Sequence, residues 1–333
     1  MHFDVLFNDF AAYTAGGLVF GAIYALIALG YTMVYGVLQL INFAHSEVFM
    51  YGTFAMAWVF VLLHGTTQVS WSLGRAAPML VVALIAAMLT SAGIALLLER
   101  VAYRPLLNKG APKLIALISA IGASFALSEA MGLRDKITGW VGLDGKLANY
   151  VGSARNVYSN PVTIKPHPLF SIGSYQVTDV DILVIVAALI MMVALDIFVG
   201  RTKFGRGIRA VAQDPESASL MGVNSTKVIR VTFLIGGLMA GVAATLYMLK
   251  IGSTRPGAGF IFGVKAFTAA VMGGIGNLRG ALIGGLVLGV AENWGSAVFG
   301  SQWKDVVSFV LLVLILLVRP SGILGEALGK ARA

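Results

Sequence analysis

From Phe10 to Ser46 the chain carries no Asp, Glu, Lys or Arg. About 20 apolar residues suffice to cross a bilayer as an α-helix, so this stretch supplies a first span at about 13–35. Gly36, Gln39 and Asn42 then break it. The pattern recurs along the chain. Apolar runs follow at about 44–63, 78–98, 114–133, 182–199, 231–249, 260–275, 281–298 and 306–318. Hydrophobic residues make up 58% of the chain and charged residues 12%, whereas a soluble domain is nearer half apolar and a quarter charged. The expected fold is an all-α integral membrane protein. It is a polytopic helical bundle of about eight to nine spans, a single transmembrane domain over 1–333. Only Asp4 and Asp9 charge the flank before the first run. That is the wrong flank for a cleaved signal peptide, so the run is read as a retained span.

The net charge of +9 is read as positive-inside bias rather than nucleic-acid binding, because the basic residues gather between apolar runs. One basic loop is Glu99–Lys109, with Lys113 beyond it. Another, 201–230, carries Arg201, Lys203, Arg206, Arg209, Lys227 and Arg230; Arg319, Lys330 and Arg332 mark the C-terminus. These place the 201–230 loop and the C-terminus in the cytoplasm. Counting 260–275 as a span despite Lys265 then places the N-terminus outside. The long polar insertion 134–181 becomes an extracytoplasmic loop, and alternation in Tyr175-Gln-Val-Thr suggests a short hairpin there or an amphipathic piece lying on the bilayer. No cysteine is present, which excludes disulfides, thiol catalysis and Cys-ligated metal. Gly145-Lys146 and Gly329-Lys330 lack the rest of a phosphate-binding loop, so the chain binds no ATP through a P-loop of its own. No Ser/His/Asp constellation appears, and no catalytic residue is assigned.

Gly17-Leu-Val-Phe-Gly21 and Gly237-Leu-Met-Ala-Gly241 match at a fixed offset. With the charge-based topology they run in opposite directions, the mark of inverted repeats in transporters; small-residue pairs also recur in any packed membrane bundle. Gly276, Gly280 and Gly284, and the pair Gly285 and Gly289, are read as packing glycines. Ionisable residues within apolar runs are costly in lipid and mark candidate sites: His45, Glu47, Glu129, Lys265 and Glu292. Asn42, His45 and Glu47 follow the first break and read either as a broken-helix translocation path or as interfacial caps, with Asn42 or Ser46 capping the second span. Lys265 reads either as snorkelling to the interface or as pairing with Glu292. His45 has no second ligand at helical spacing, so no metal site is assigned.

Gly205–Asn224 is a polar stretch between two spans. Asp214 reads as an N-cap, Pro215 as the first helical residue and Gly222 as a stop. That predicts a short helix over about 215–221, after a turn at about 208–213. Its mixed charge favours a protein partner over a lipid surface.

The stretch Gly207-Ile-Arg-Ala-Val-Ala-Gln-Asp-Pro-Glu-Ser-Ala-Ser-Leu-Met-Gly-Val-Asn224 resembles the cytoplasmic coupling segment of ABC permeases of the branched-chain amino acid family. Tyr24–Gly36, Ile41-Asn-Phe-Ala-His-Ser-Glu47, Glu99–Pro105, Leu114–Gly122, Lys265–Gly276 and Lys304–Phe309 agree with it. The resemblance covers nearly the whole chain and is strongest to the H-type permease subunits of that family. Ser46 stands where the family usually has glycine, and 134–181 does not match well.

The resemblance implies an inner-membrane, multi-pass permease subunit of an ATP-driven importer of Leu, Ile and Val. It implies a second, M-type permease, two cytoplasmic ATPase subunits and a periplasmic binding protein. No cofactor is bound directly; the partner ATPases use ATP and Mg. Arg209, Ala210, Ala212, Gln213, Asp214, Glu216, Ala218, Leu220 and Gly222 are the expected ATPase-coupling residues. Asn42, His45, Glu47, Lys265 and Glu292 are candidates for the translocation path. A family permease for urea, short amides or other amino acids is the nearest alternative. An intramembrane enzyme and a passive channel are remoter ones.

Overall fold

The computed structural model describes residues 3–143, 150–151 and 156–325. Lys146, Lys330 and Arg332, used above, lie outside the described residues.

Helix α1 (Phe3–Asn8) leads into α2 (Phe10–Leu38). Gln39 ends α2 in the left-handed region (φ 51°), with its N–H donating to Tyr35 O at 2.7 Å. Helix α3 (His45–His64) stops at Gly65, and strand β1 (Val69–Ser72) precedes α4 (Leu73–Leu98). Beyond Leu98 the expected basic loop is helical. A π-helical turn, Glu99–Tyr103, runs straight into α5 (Arg104–Asn108). Buried Glu99 accepts Arg104 Nε at 2.9 Å and Nη2 at 2.5 Å, so one acid and one base of the expected loop neutralise each other along the helix. Tyr103 is buried beside them and donates to Asn42 Oδ1 at 2.8 Å.

Helices α6 (Lys113–Gly132) and α7 (Arg134–Trp140) follow, then strands β2 (Tyr158–Ser159), β3 (Val162–Lys165), β4 (Pro168–Ile172) and β5 (Tyr175–Thr178). Strands β4 and β5 form the antiparallel hairpin that the alternation predicted, while β3 pairs in parallel with β1. Helix α8 (Asp179–Arg201) opens with a capping box: Thr178 accepts from Asp181 N, and Asp181 accepts from Thr178 N. The remaining elements are α9 (Lys203–Gln213), α10 (Pro215–Leu220), α11 (Ser225–Ile251), β6 (Ser253–Thr254, antiparallel to β2), α12 (Ala258–Gly273), α13 (Leu278–Phe299) and α14 (Lys304–Val318).

Among the described residues, 8 helical stretches are long and apolar enough to cross a membrane. Every apolar run expected as a span falls on one of them except 260–275. There α12 has 16 residues, about 24 Å at 1.5 Å per residue, short of a hydrocarbon core of about 30 Å. Gly257 and Gly274, both at positive φ, bound it.

The helices gather into two compact units. One holds the residues up to Gln39, Pro168–Thr232 and the chain from Val264. Its axis is α2 against α13, and glycine makes the approach possible. A Cβ on Gly17 would lie 2.6 Å from Val290 Cα, and one on Gly21 2.7 Å from Gly285 O. The other unit holds Leu40–His167 and Phe233–Gly263. Here Gly237 and Gly241 of α11 lie against α4, where Cβ atoms would come 2.7 Å from Ala92 Cα and 2.5 Å from Met88 Cα. The two matched glycine pairs thus do the same work, backbone-to-backbone packing. Each lies on the first long helix of its half of the chain, and each packs on a helix of the other half. That exchange fits an internal repeat. Gly280 and Gly284 pack as expected, on Gly273 and Ala269. Gly276 does not: it has φ +94° and no neighbour within 4 Å, so it serves the turn between α12 and α13.

Candidate functional site: the coupling segment and the polar clusters

Helix α8 ends at Arg201, and the Thr202 hydroxyl accepts from Gly205 N at 3.0 Å to start α9. The turn expected at about 208–213 is therefore part of an 11-residue helix. Three-residue spacing of Gly205, Ile208 and Val211 gives it one buried face. Gly205 is required: a Cβ there would sit 2.5 Å from Phe198 O and 2.6 Å from Val199 C.

Asp214 is extended (φ −155°, ψ 106°) and caps α10, accepting Glu216 N at 3.0 Å and Ser217 N at 3.3 Å. The Ser217 hydroxyl also donates to it, and these bonds hold its carboxyl below the usual carboxylate range. Pro215 occupies the first turn as predicted. Gly222 (φ +83°) ends the helix: Gly222 N donates to Ser219 O at 2.9 Å and Val223 N to Ala218 O at 3.0 Å.

The coupling residues expected from sequence take different roles. Arg209 donates to Val199 O and Gly200 O at the end of α8, where a cation meets orphan carbonyls. Ala212 O accepts Gln39 Nε2 at 3.3 Å, tying the segment to the end of α2. Ala218 is buried and Ala210 half-buried, so neither presents an open small-residue face. Gln213, Asp214, Glu216 and Gly222 are exposed. Leu220 and Met221 are each 84% exposed, adjacent apolar side chains at the end of a polar helix. Met221 was not singled out from sequence, although Leu-Met before a glycine stop was a readable signal.

The ionisable candidates divide between the units. In the first, Lys265 Nζ lies 3.0 Å from Glu292 Oε1 and 2.8 Å from Asp305 Oδ1, and 5.5 Å over the Tyr24 ring. Glu292 also accepts Tyr24 OH at 2.8 Å and the Ser308 hydroxyl. The predicted pair is thus real and sits in a larger network; Tyr24, Asp305 and Ser308 lie too far along the chain for spacing to reveal them. In the second unit, Asn42, His45 and Glu47 are all buried at the start of α3. Neither Asn42 nor Ser46 caps that helix. Ala44 holds the cap position, Ser46 Oγ turns back to Phe43 O at 2.7 Å, and Asn42 Oδ1 is taken by Tyr103. Ser124 Oγ donates to Glu47 Oε1 at 3.3 Å, while Glu47 Oε2 has no hydrogen-bond partner among the described residues. A Cβ on Gly259 would come 2.8 Å from that oxygen. Glu129, expected inside, is exposed on α6. No group of three His, Asp or Glu that could hold a metal occurs among the described residues.

Residues 13–316 match the family model described as the branched-chain amino acid transport system / permease component. The chain is 42% identical to the high-affinity branched-chain amino acid transport system permease protein BraD of Pseudomonas aeruginosa over 313 residues, covering 93% of this chain and 94% of that one. It is 42% identical to LivH, the protein of the same description from Salmonella typhimurium, and 41% to LivH of Escherichia coli, with the same coverage in both cases. No solved structure matches.

Proposed function

Because this chain belongs to the branched-chain amino acid transport permease family, we propose that it conducts Leu, Ile and Val across the bacterial inner membrane as the membrane-spanning subunit of an ATP-driven importer. One observation carries the reading: likeness to permeases described as high-affinity branched-chain amino acid transporters runs over 93% of the chain. The coupling segment supports it physically. An Asp214-capped helix offers Leu220 and Met221 to a partner, and the Gln39–Ala212 bond links that helix to α2. A cytoplasmic ATPase that seats these two side chains pushes on α9 and α10 when it closes on ATP. The movement reaches the α2–α13 axis, as in rocking transporters.

The complete importer would contain this chain, an M-type permease, two ATPase subunits that use ATP and Mg, and a periplasmic binding protein. The 201–230 loop and the C-terminus face the cytoplasm and the N-terminus the periplasm, which requires short α12 with its flanks to complete a crossing. The absence of cysteine makes that testable: Asp4→Cys should react with an impermeant maleimide from outside whole cells, and Arg319→Cys should not. Labelled leucine uptake in a strain lacking the endogenous permease tests the function. Leu220→Asp/Met221→Asp is expected to abolish uptake while the protein still inserts. Normal uptake by that variant defeats the docking assignment, and competition by urea but not valine defeats the substrate assignment.

A further inference from the structure

One face of α9 takes no part in holding the coupling segment to α8 or α2. Lys203, Arg206, Gly207 and Ala210 recur at three- and four-residue spacing. Together with Asn224, Lys227 and Val228 at the start of α11 they enclose a cleft of about 400 Å³. Its rim is cationic and its base is apolar. Lys203, Arg206 and Lys227 are exposed and none has a carboxylate within ion-pair distance among the described residues. Phe204, Val223 and Val228 supply its apolar lining, with the Lys227 ammonium 5.7 Å from the centre of the Phe204 ring. Gly207 keeps the cleft open: a Cβ there would already lie 3.1 Å from Val228 Cγ2.

We propose that this cleft binds the phosphate headgroup of an anionic phospholipid. Its place at the ends of two candidate spans argues for a lipid. Lys203 stands two residues past the end of the α8 span at Arg201, and Lys227 is the third residue of the α11 span. Both lie where a helix leaves the hydrocarbon, the level of lipid headgroups. Clustered Lys and Arg at that level attract anionic lipids. Phosphate is met by three cations able to donate several hydrogen bonds, and the apolar base suits the glycerol and first acyl carbons. A bound headgroup bridges α9 to α11, the two helices that flank α10, and so steadies the docking helix between them.

The test uses the full chain in nanodiscs of phosphatidylcholine with a minor fraction of phosphatidylglycerol, with lipids retained on release read by native mass spectrometry. The wild-type chain is expected to retain phosphatidylglycerol with about a tenfold or greater preference. Lys203→Gln/Arg206→Gln/Lys227→Gln should fall to near parity. Lys109→Gln/Arg201→Gln/Arg230→Gln, with the same loss of charge outside the cleft, should keep the preference. Gly207→Met fills the base without removing charge and should also lose it, which keeps the test valid if the triple cleft variant fails to fold. Three results overturn the proposal. The first is that the cleft variants keep the preference; the second is that the control triple loses it equally, which means diffuse surface charge. The third is that millimolar inorganic phosphate strips the lipid, which means a soluble-anion site.

Discussion

Replacing Lys265 by Met tests how the buried network in the first unit is held. Lys265 and Glu292 have side-chain exposures of 8% and 3%. Removing the ammonium leaves Glu292 with Tyr24 and Ser308 as its donors among the described residues, and breaking a buried pair by deleting one partner costs about 3–5 kcal/mol. Glu292→Gln should cost less, about 1–3 kcal/mol, because Lys265 keeps Asp305 at 2.8 Å. Asp305 is 54% exposed, so Asp305→Asn should cost no more than about 1 kcal/mol. The double variant Lys265→Met/Glu292→Gln removes both charges together. It should be more stable than the sum of the singles by about 2 kcal/mol or more. Equilibrium unfolding of the purified chain in mixed micelles measures all four. Equal costs for the three singles, or a coupling within about 0.5 kcal/mol of zero, would refute the idea that Lys265 is held by Glu292 rather than by its surroundings.

Gly241→Ala should destabilise by about 1–3 kcal/mol, because its methyl meets the Met88 backbone. Gly122→Ala, a mid-helix site with nothing within 4 Å, should be neutral or stabilising by up to about 1 kcal/mol in the same unfolding assay. Gln39→Gly keeps the left-handed turn and removes the bond to Ala212 O; insertion should be normal while the rate of leucine uptake drops, and an unchanged rate would show that the bond carries no motion. The depressed Asp214 carboxyl sets a pH window. Its capping contribution is fully present above the ordinary aspartate value of about 3.9 and is lost only as pH falls through the lower folded value. Amide protection in 215–220 should therefore survive neutral to mildly acidic pH, and Asp214→Ala should remove it throughout.

Much of this architecture was readable because lipid imposes a simple rule on sequence. Long uncharged runs became helices within a few residues of the expected bounds. The Asp214-Pro215…Gly222 punctuation gave α10, since caps and stops are local chemistry. Local chemistry also explains the errors. Glu99 and Arg104 pair across the π-helical turn, five residues apart, a spacing that an ordinary helical reading of Glu99–Lys109 does not reveal. Helix α9 reads as a turn in the sequence because its apolar residues are few and its buried face depends on Gly205 meeting the α8 carbonyl end. The Lys265–Glu292 pair was guessed from type and cost, whereas Tyr24 and Ser308 join it from distant parts of the chain. The burial of Ala218 within the chain is likewise something no single-chain pattern encodes.

The exchange of glycine helices has a consequence for how the protein is made. Gly17 and Gly21 wait for Val290 and Gly285, while Met88 and Ala92 wait for Gly241 and Gly237. At about 5–20 residues per second, α2 is finished tens of seconds before the helix that covers it is synthesised. Neither half of the chain can close its own core, so the early spans must be kept from pairing with other small-residue helices in the membrane during that interval. Severed between the halves, the protein should assemble only when both pieces are made together.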